Sequence, residues 1–69
     1  MKLSKKEIGI IQAVHWEREN GYPHSPGNPI PNKLIDAGYI VIDQEGPFIP
    51  VAIQWKLLEL GIILKPAKK

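Results

Sequence analysis

Apolar and polar positions along this chain fall into two registers. From Ser4 to Asn20 the apolar residues recur at helical spacing: Ile8, Ile11 and Val14 share one stripe, with Ile10 beside it. Ser4 followed by Glu7 forms a capping box, in which the serine hydroxyl takes the Glu7 N–H and the carboxylate returns to the Ser4 N–H. Leu3 and Ile8 flank that box as a hydrophobic staple. Asn20-Gly21 is a stop, because glycine tolerates the left-handed cap. The pattern predicts a helix over 4–20. Gly9 inside it costs about 1 kcal/mol relative to alanine, which predicts close approach by a neighbouring segment.

Helical spacing ends at GYPHSPGNPIPN, residues 21–32, with four prolines and two glycines. Proline removes donors and fixes φ, so a regular helix is not expected here. Tyr22 and Ile30 supply apolar anchors, which favours a rigid, packed loop over a flexible linker. A short helix over 32–37 follows, with Asn32 as N-cap and Gly38 as its stop. YIVID is β-branched and aromatic and predicts a strand. QEG turns the chain and PFIP returns it, giving a hairpin over 39–50 that Pro47 and Pro50 confine to an edge. Pro50 also suits the first turn of a last helix over 50–60, capped by Gly61. Residues 62–64 predict one more short strand.

One pattern occurs twice: KLIDAGYI at 33–40 returns as KLLELGII at 56–63, with four of eight positions identical. Each copy is a lysine, an apolar helix face, a glycine that stops the helix, and an immediate buried strand. Gene duplication could produce the match. The shared helix–glycine–strand grammar explains it without common ancestry.

The last helix carries two apolar stripes. Ile53, Leu57 and Leu60 form one; Val51, Trp55 and Leu58 form a second on nearly the opposite side. A helix apolar on two sides is either sandwiched in a core or shared with a partner. If one stripe stays outside, Trp55 is its natural anchor, since aromatic residues dominate interface energetics; otherwise it covers the proline-rich loop. Trp16 points away from the Ile8–Ile11–Val14 stripe and is either covered by the 23–26 loop or a second exposed binding aromatic. The candidate partner surface is therefore Trp16, Val51, Trp55 and Leu58.

Composition narrows the class. Sixty-nine residues make one domain, whose net stability would be roughly 3–10 kcal/mol. The chain contains no cysteine, which excludes disulfides and thiolate metal sites and suits a reducing compartment. No apolar run approaches the ~20 residues of a membrane span, and MKLSKKEIG lacks the apolar region of a secretory signal. A soluble, cytoplasmic protein without a membrane partner is expected. Net charge is +2, with lysines gathered toward the two ends; such ends can touch phosphates and are also ordinary solubilising termini.

Catalytic patterns are sparse. His15 and Glu19 stand four apart on one helical face, but no third metal ligand is placed by the sequence. His24 adjoins Ser25 with no acid in evidence to orient it, and a Ser–His nucleophile needs that third group. No glycine-rich phosphate loop precedes a helix. Asp36, Asp43, Glu45 and Glu59 show no pairing. Neither an enzyme nor a bound metal or cofactor is expected.

The order helix, loop, short helix, strand, turn, strand, helix resembles that of winged-helix DNA-binding domains. KLIDAGYIVID looks like the end of a recognition helix running into the wing, and FIPVAIQWKLLELG takes the place of the second wing strand and closing helix. ERENGYPHSP, residues 17–26, resembles the ENGYPPS stretch of LexA-type repressor domains. Those domains continue with a full second helix and a long recognition helix; here, with prolines at 26, 29 and 31, the former is deleted or reduced to a turn and the latter is stunted. The wing tip carries Asp43 and Glu45, where a phosphate-binding wing would carry Lys or Arg.

The expected fold is therefore a small winged-helix-like α+β domain, with three helices, a short β-hairpin and a C-terminal strand. The resemblance implies a small transcription-regulating protein that binds double-stranded DNA, dimeric through its last helix. Lys5, Lys6 and Lys33 would meet phosphates, while Asn28 and Asn32 approach bases. The rival expectation is a protein-interaction module on the same scaffold, such as a phage-type adaptor or inhibitor of a host protein.

Overall fold

The computed structural model describes residues 3–24 and 29–64. Helix α1 spans Lys5–Glu19, α2 Asn32–Asp36 and α3 Val51–Glu59; strands β1, Val41–Asp43, and β2, Gly46–Phe48, lie between α2 and α3. This is a small α+β domain of three helices and one antiparallel hairpin.

Helix α1 begins as its sequence requires. Ser4 Oγ accepts from the Glu7 N–H at 3.2 Å, and Glu7 Oε1 accepts from the Ser4 N–H at 2.8 Å. Ile11 and Val14 enter the core, but Ile8 stays half-buried outside it. The inward face is turned toward Glu7, Ile11, Val14 and His15, all buried. Gly9 departs from expectation: a Cβ built there meets nothing within 4 Å. Among the described residues no segment approaches it, and Gly9 lines an open groove.

Proline takes over both later helix starts. Pro31, at φ −62° and ψ 136°, occupies the N-cap position of α2, and its carbonyl accepts from the Leu34 N–H at 3.0 Å. Asn32 is thus the first helical residue rather than the cap, and its side chain is left exposed. Pro50 does the same for α3, its carbonyl accepting from the Gln54 N–H at 2.9 Å. The Gln54 side-chain amide adds a bond to the Ile49 carbonyl at 2.8 Å.

All three helices stop by the same device. Gly21, Gly38 and Gly61 have φ of 73°, 84° and 84°. In each, the glycine N–H and the next residue's N–H bond back to the carbonyls three and five residues earlier: Gly38 to Ile35 and Tyr39 to Leu34, Gly61 to Leu58 and Ile62 to Leu57, Gly21 to Arg18 and Tyr22 to Glu17. This is the Schellman arrangement, which satisfies carbonyls that a helix end otherwise leaves without partners.

The hairpin is shorter than its sequence suggests. Val41 pairs with Phe48, Ile42 with Pro47 and Asp43 with Gly46. Alternation in an antiparallel ladder puts Pro47 in a pair that needs no N–H donor. The buried residues are Tyr39 and Ile40, just before β1, while β1 itself is exposed throughout. Residues 62–64 form no strand: they lack a ladder partner, and the Gln12 side-chain amide holds the Ile63 carbonyl at 3.0 Å instead. The core joins Ile11 and Val14 of α1, Leu34 of α2, Tyr39, Ile40, Ile49 and Leu57 of α3.

Candidate functional site

Two surfaces on opposite flanks of α1 gather the sequence-predicted residues other than Trp16 and Asn28. The first surrounds the starts of α1 and α2. Lys33 Nζ lies 2.8 Å from Glu7 Oε2, tying the two helices together. The geometry is asymmetric: the Lys33 side chain remains 57% exposed and that of Glu7 only 12%. Lysine has three N–H donors, so the bridge orients the ammonium without using up its capacity. Bonding from Lys33, then from the Ser4 backbone, holds the Glu7 carboxyl below its ordinary pKa. Lys5, Lys6 and Asn32 are exposed nearby in sequence on the same two helix starts. Asn28 lies outside the described residues. Beside this cluster runs an open groove of about 600 Å³, with Lys6, Gly9, Ile10 and Ala13 on one wall and Pro29–Pro31 on the other.

The second surface belongs to α3. Leu57 is fully buried and Ile53 partly so, whereas Leu60, expected on that stripe, is exposed. The opposite stripe faces outward: Val51 is 67% exposed, Trp55 64% and Leu58 56%. Trp55 therefore stands largely in solvent. With the 62–64 segment, α3 bounds a second open groove of about 390 Å³, whose walls include His15, Gln54, Ile62 and Leu64.

Trp16 does not join that surface. At 100° per residue it shares a flank of α1 with Gly9 rather than with His15. Its ring stacks on Tyr22, centroids 5.3 Å apart and planes at 17°, yet 41% of the residue stays exposed. Tyr22 leans outward on Trp16 and is itself exposed rather than buried.

Several contacts were not legible from the sequence. Arg18 makes a two-pronged bond to Asp43, at 3.1 and 2.8 Å, donates to the Gly46 carbonyl at 3.3 Å and lies 4.9 Å from the Phe48 ring centre. Glu45 sits 3.5 Å from the same guanidinium. The acidic hairpin turn is therefore paired, contrary to the sequence expectation, because α1 runs beside it. That bonding raises the Arg18 pKa and lowers the Asp43 pKa. His24 Nδ1 lies 2.8 Å from Glu17 Oε1, so His24 does have an acid to orient it; Ser25 lies outside the described residues. Only the seven-residue spacing of Glu17 and His24 across a glycine cap could have hinted at the pair.

Among the described residues no group of three His, Cys, Asp or Glu side chains could hold a metal ion, and no helix is long and apolar enough to cross a membrane. Compared with family models, with curated proteins and with solved structures, the chain matches none.

Proposed function

We propose that this chain is a small non-enzymatic protein on a winged-helix-like scaffold that binds duplex DNA along the paired starts of α1 and α2. The observation that supports this best is the Lys33–Glu7 bridge, which holds an exposed ammonium beside the helix start that carries Lys5 and Lys6. Phosphate contacts supply most non-specific affinity for DNA, and lysine serves them as a compact point charge. Asn32, freed from capping by Pro31, is the residue on α2 positioned to approach base edges. The hairpin stays off the phosphates in this reading, since Asp43 and Glu45 occupy its turn.

Three lysine–phosphate contacts imply a loss of about 40-fold in affinity between roughly 50 and 200 mM salt. Fluorescence anisotropy of a labelled duplex measures it. Binding at low salt that weakens by that factor, and weakens again for Lys6→Glu, supports the proposal. No binding at low salt with tens of micromolar protein overturns it. A protein-interaction role, as adaptor or inhibitor of a host protein, is the second reading, favoured by the outward stripe of α3.

A further inference from the structure

The unpartnered face of α3 combines a protrusion and a hollow. Trp55 stands out from the helix, and the open groove toward residues 62–64 lies directly alongside it. We propose that this face pairs with a second copy of the chain across a twofold axis, Trp55 of each copy entering the groove of the other.

Three features point to a second copy rather than an unrelated partner. An isologous contact requires that one patch carry both the knob and its complement, and here the two adjoin. The stripe is also nearly symmetric about Trp55, with Val51 one turn before it and Leu58 one turn after. Antiparallel α3 helices crossing at Trp55 therefore set Val51 of one copy against Leu58 of the other. Finally, a charge near a twofold axis meets its own image and repels it. Among the described residues no lysine, arginine, aspartate or glutamate lines the groove, and Lys56 and Glu59 lie to the side of the stripe.

Area sets the strength. Val51, Trp55, Leu58 and Ile63 together leave on the order of 450 Å² of largely apolar surface in water. Two copies would bury about 900 Å², below the 1,200–2,000 Å² of standard stable interfaces. A contact of that size belongs with weak, transient associations, so the dimer should dissociate on dilution.

Sedimentation equilibrium of the full chain between about 10 and 500 µM tests this, because mass action must show across that range. The expected weight-average mass rises from 7.8 kDa toward twice that value. Trp55→Glu and Val51→Lys are each expected to stay at monomer mass and to melt as the parent chain does. Should one variant melt early, the other carries the test, since neither residue belongs to the core. In a sample mixing labelled and unlabelled chains, NOEs are expected between Val51 of one copy and Leu58 of the other. A monomer at the highest concentration overturns the proposal, as does a mass climbing past the dimer, which marks a head-to-tail contact. Dimers that survive both substitutions overturn it too. The DNA titration is independent of this outcome.

Discussion

Segments 33–40 and 56–63 share sequence and local geometry, and then part company. Leu34 and Leu57 are both fully buried. Gly38 and Gly61 have the same φ of 84°. The N–H after each glycine reaches the carbonyl of that leucine, at 3.0 Å for Tyr39 and 2.9 Å for Ile62. Beyond the cap the copies differ. Tyr39 and Ile40 drop into the core, whereas Ile62 is half-buried and Ile63 exposed. Lys33 reaches Glu7, while Lys56 makes no ion pair among the described residues. A cap controls about six residues of backbone; what the chain meets afterwards is decided by neighbours far away in sequence. The cap of α1 makes the same point from the other side. It closes identically with Glu17 in place of the leucine, so helix-stop grammar accounts for the repeat without duplication.

The comparison can be broken most sharply at its last position. Ile40→Ala should destabilise by about 2–5 kcal/mol, as deletion from a packed core does, while Ile63→Ala should stay within about 0.5 kcal/mol. Urea melts at low protein concentration measure both, and equal losses would mean that the second segment is buried after all. The glycines should behave alike: Gly38→Ala and Gly61→Ala each force a side chain into left-handed backbone, for about 1–2 kcal/mol. A difference beyond about 1 kcal/mol between them would separate caps that look the same.

The smallest effect is a pH dependence to which, of the two segments, only the first contributes. Glu7, bonded to Lys33, has a lowered pKa in the folded state. Its contribution is therefore present above the ordinary value of 4.5 and is lost as pH falls through the lower folded value. Asp43, bonded to Arg18, adds loss of the same sign. Stability should fall on acidification below about pH 4.5, and Glu7→Gln should flatten part of that fall, with Lys33→Met doing the same. No counterpart is expected from Lys56→Met.

Much of the fold was legible because it rests on short-range rules. The capping box, three glycine stops, a turn after Asp43 (expected over 44–46 and found over 44–45, with Gly46 already in β2) and the two-sided apolar pattern of α3 all follow from residues within a few positions of one another. Failures came where a distant segment intervened. Gly9 suggested a close neighbour and faces an open groove. The 62–64 run looked like a strand and found no ladder among the described residues, where β1 and β2 pair with each other. Prolines 31 and 50 took cap positions because their fixed φ suits the extended entry to a helix. Of the candidate surfaces, Val51, Trp55 and Leu58 were foreseen together, and Trp16 was not separable from them without knowing where Tyr22 lies.

Charge shows the division most plainly. By itself, the amino-acid order determined where helices begin and end, because hydrogen bonds at helix termini are satisfied within about five residues. It also determined that α3 has more apolar surface than one side can bury. Only the tertiary structure decided which stripe faces outward, and that Glu7 meets Lys33 and Arg18 meets Asp43. Those pairs lie 26 and 25 positions apart, and ion pairing acts over a few ångströms of space regardless of separation along the chain.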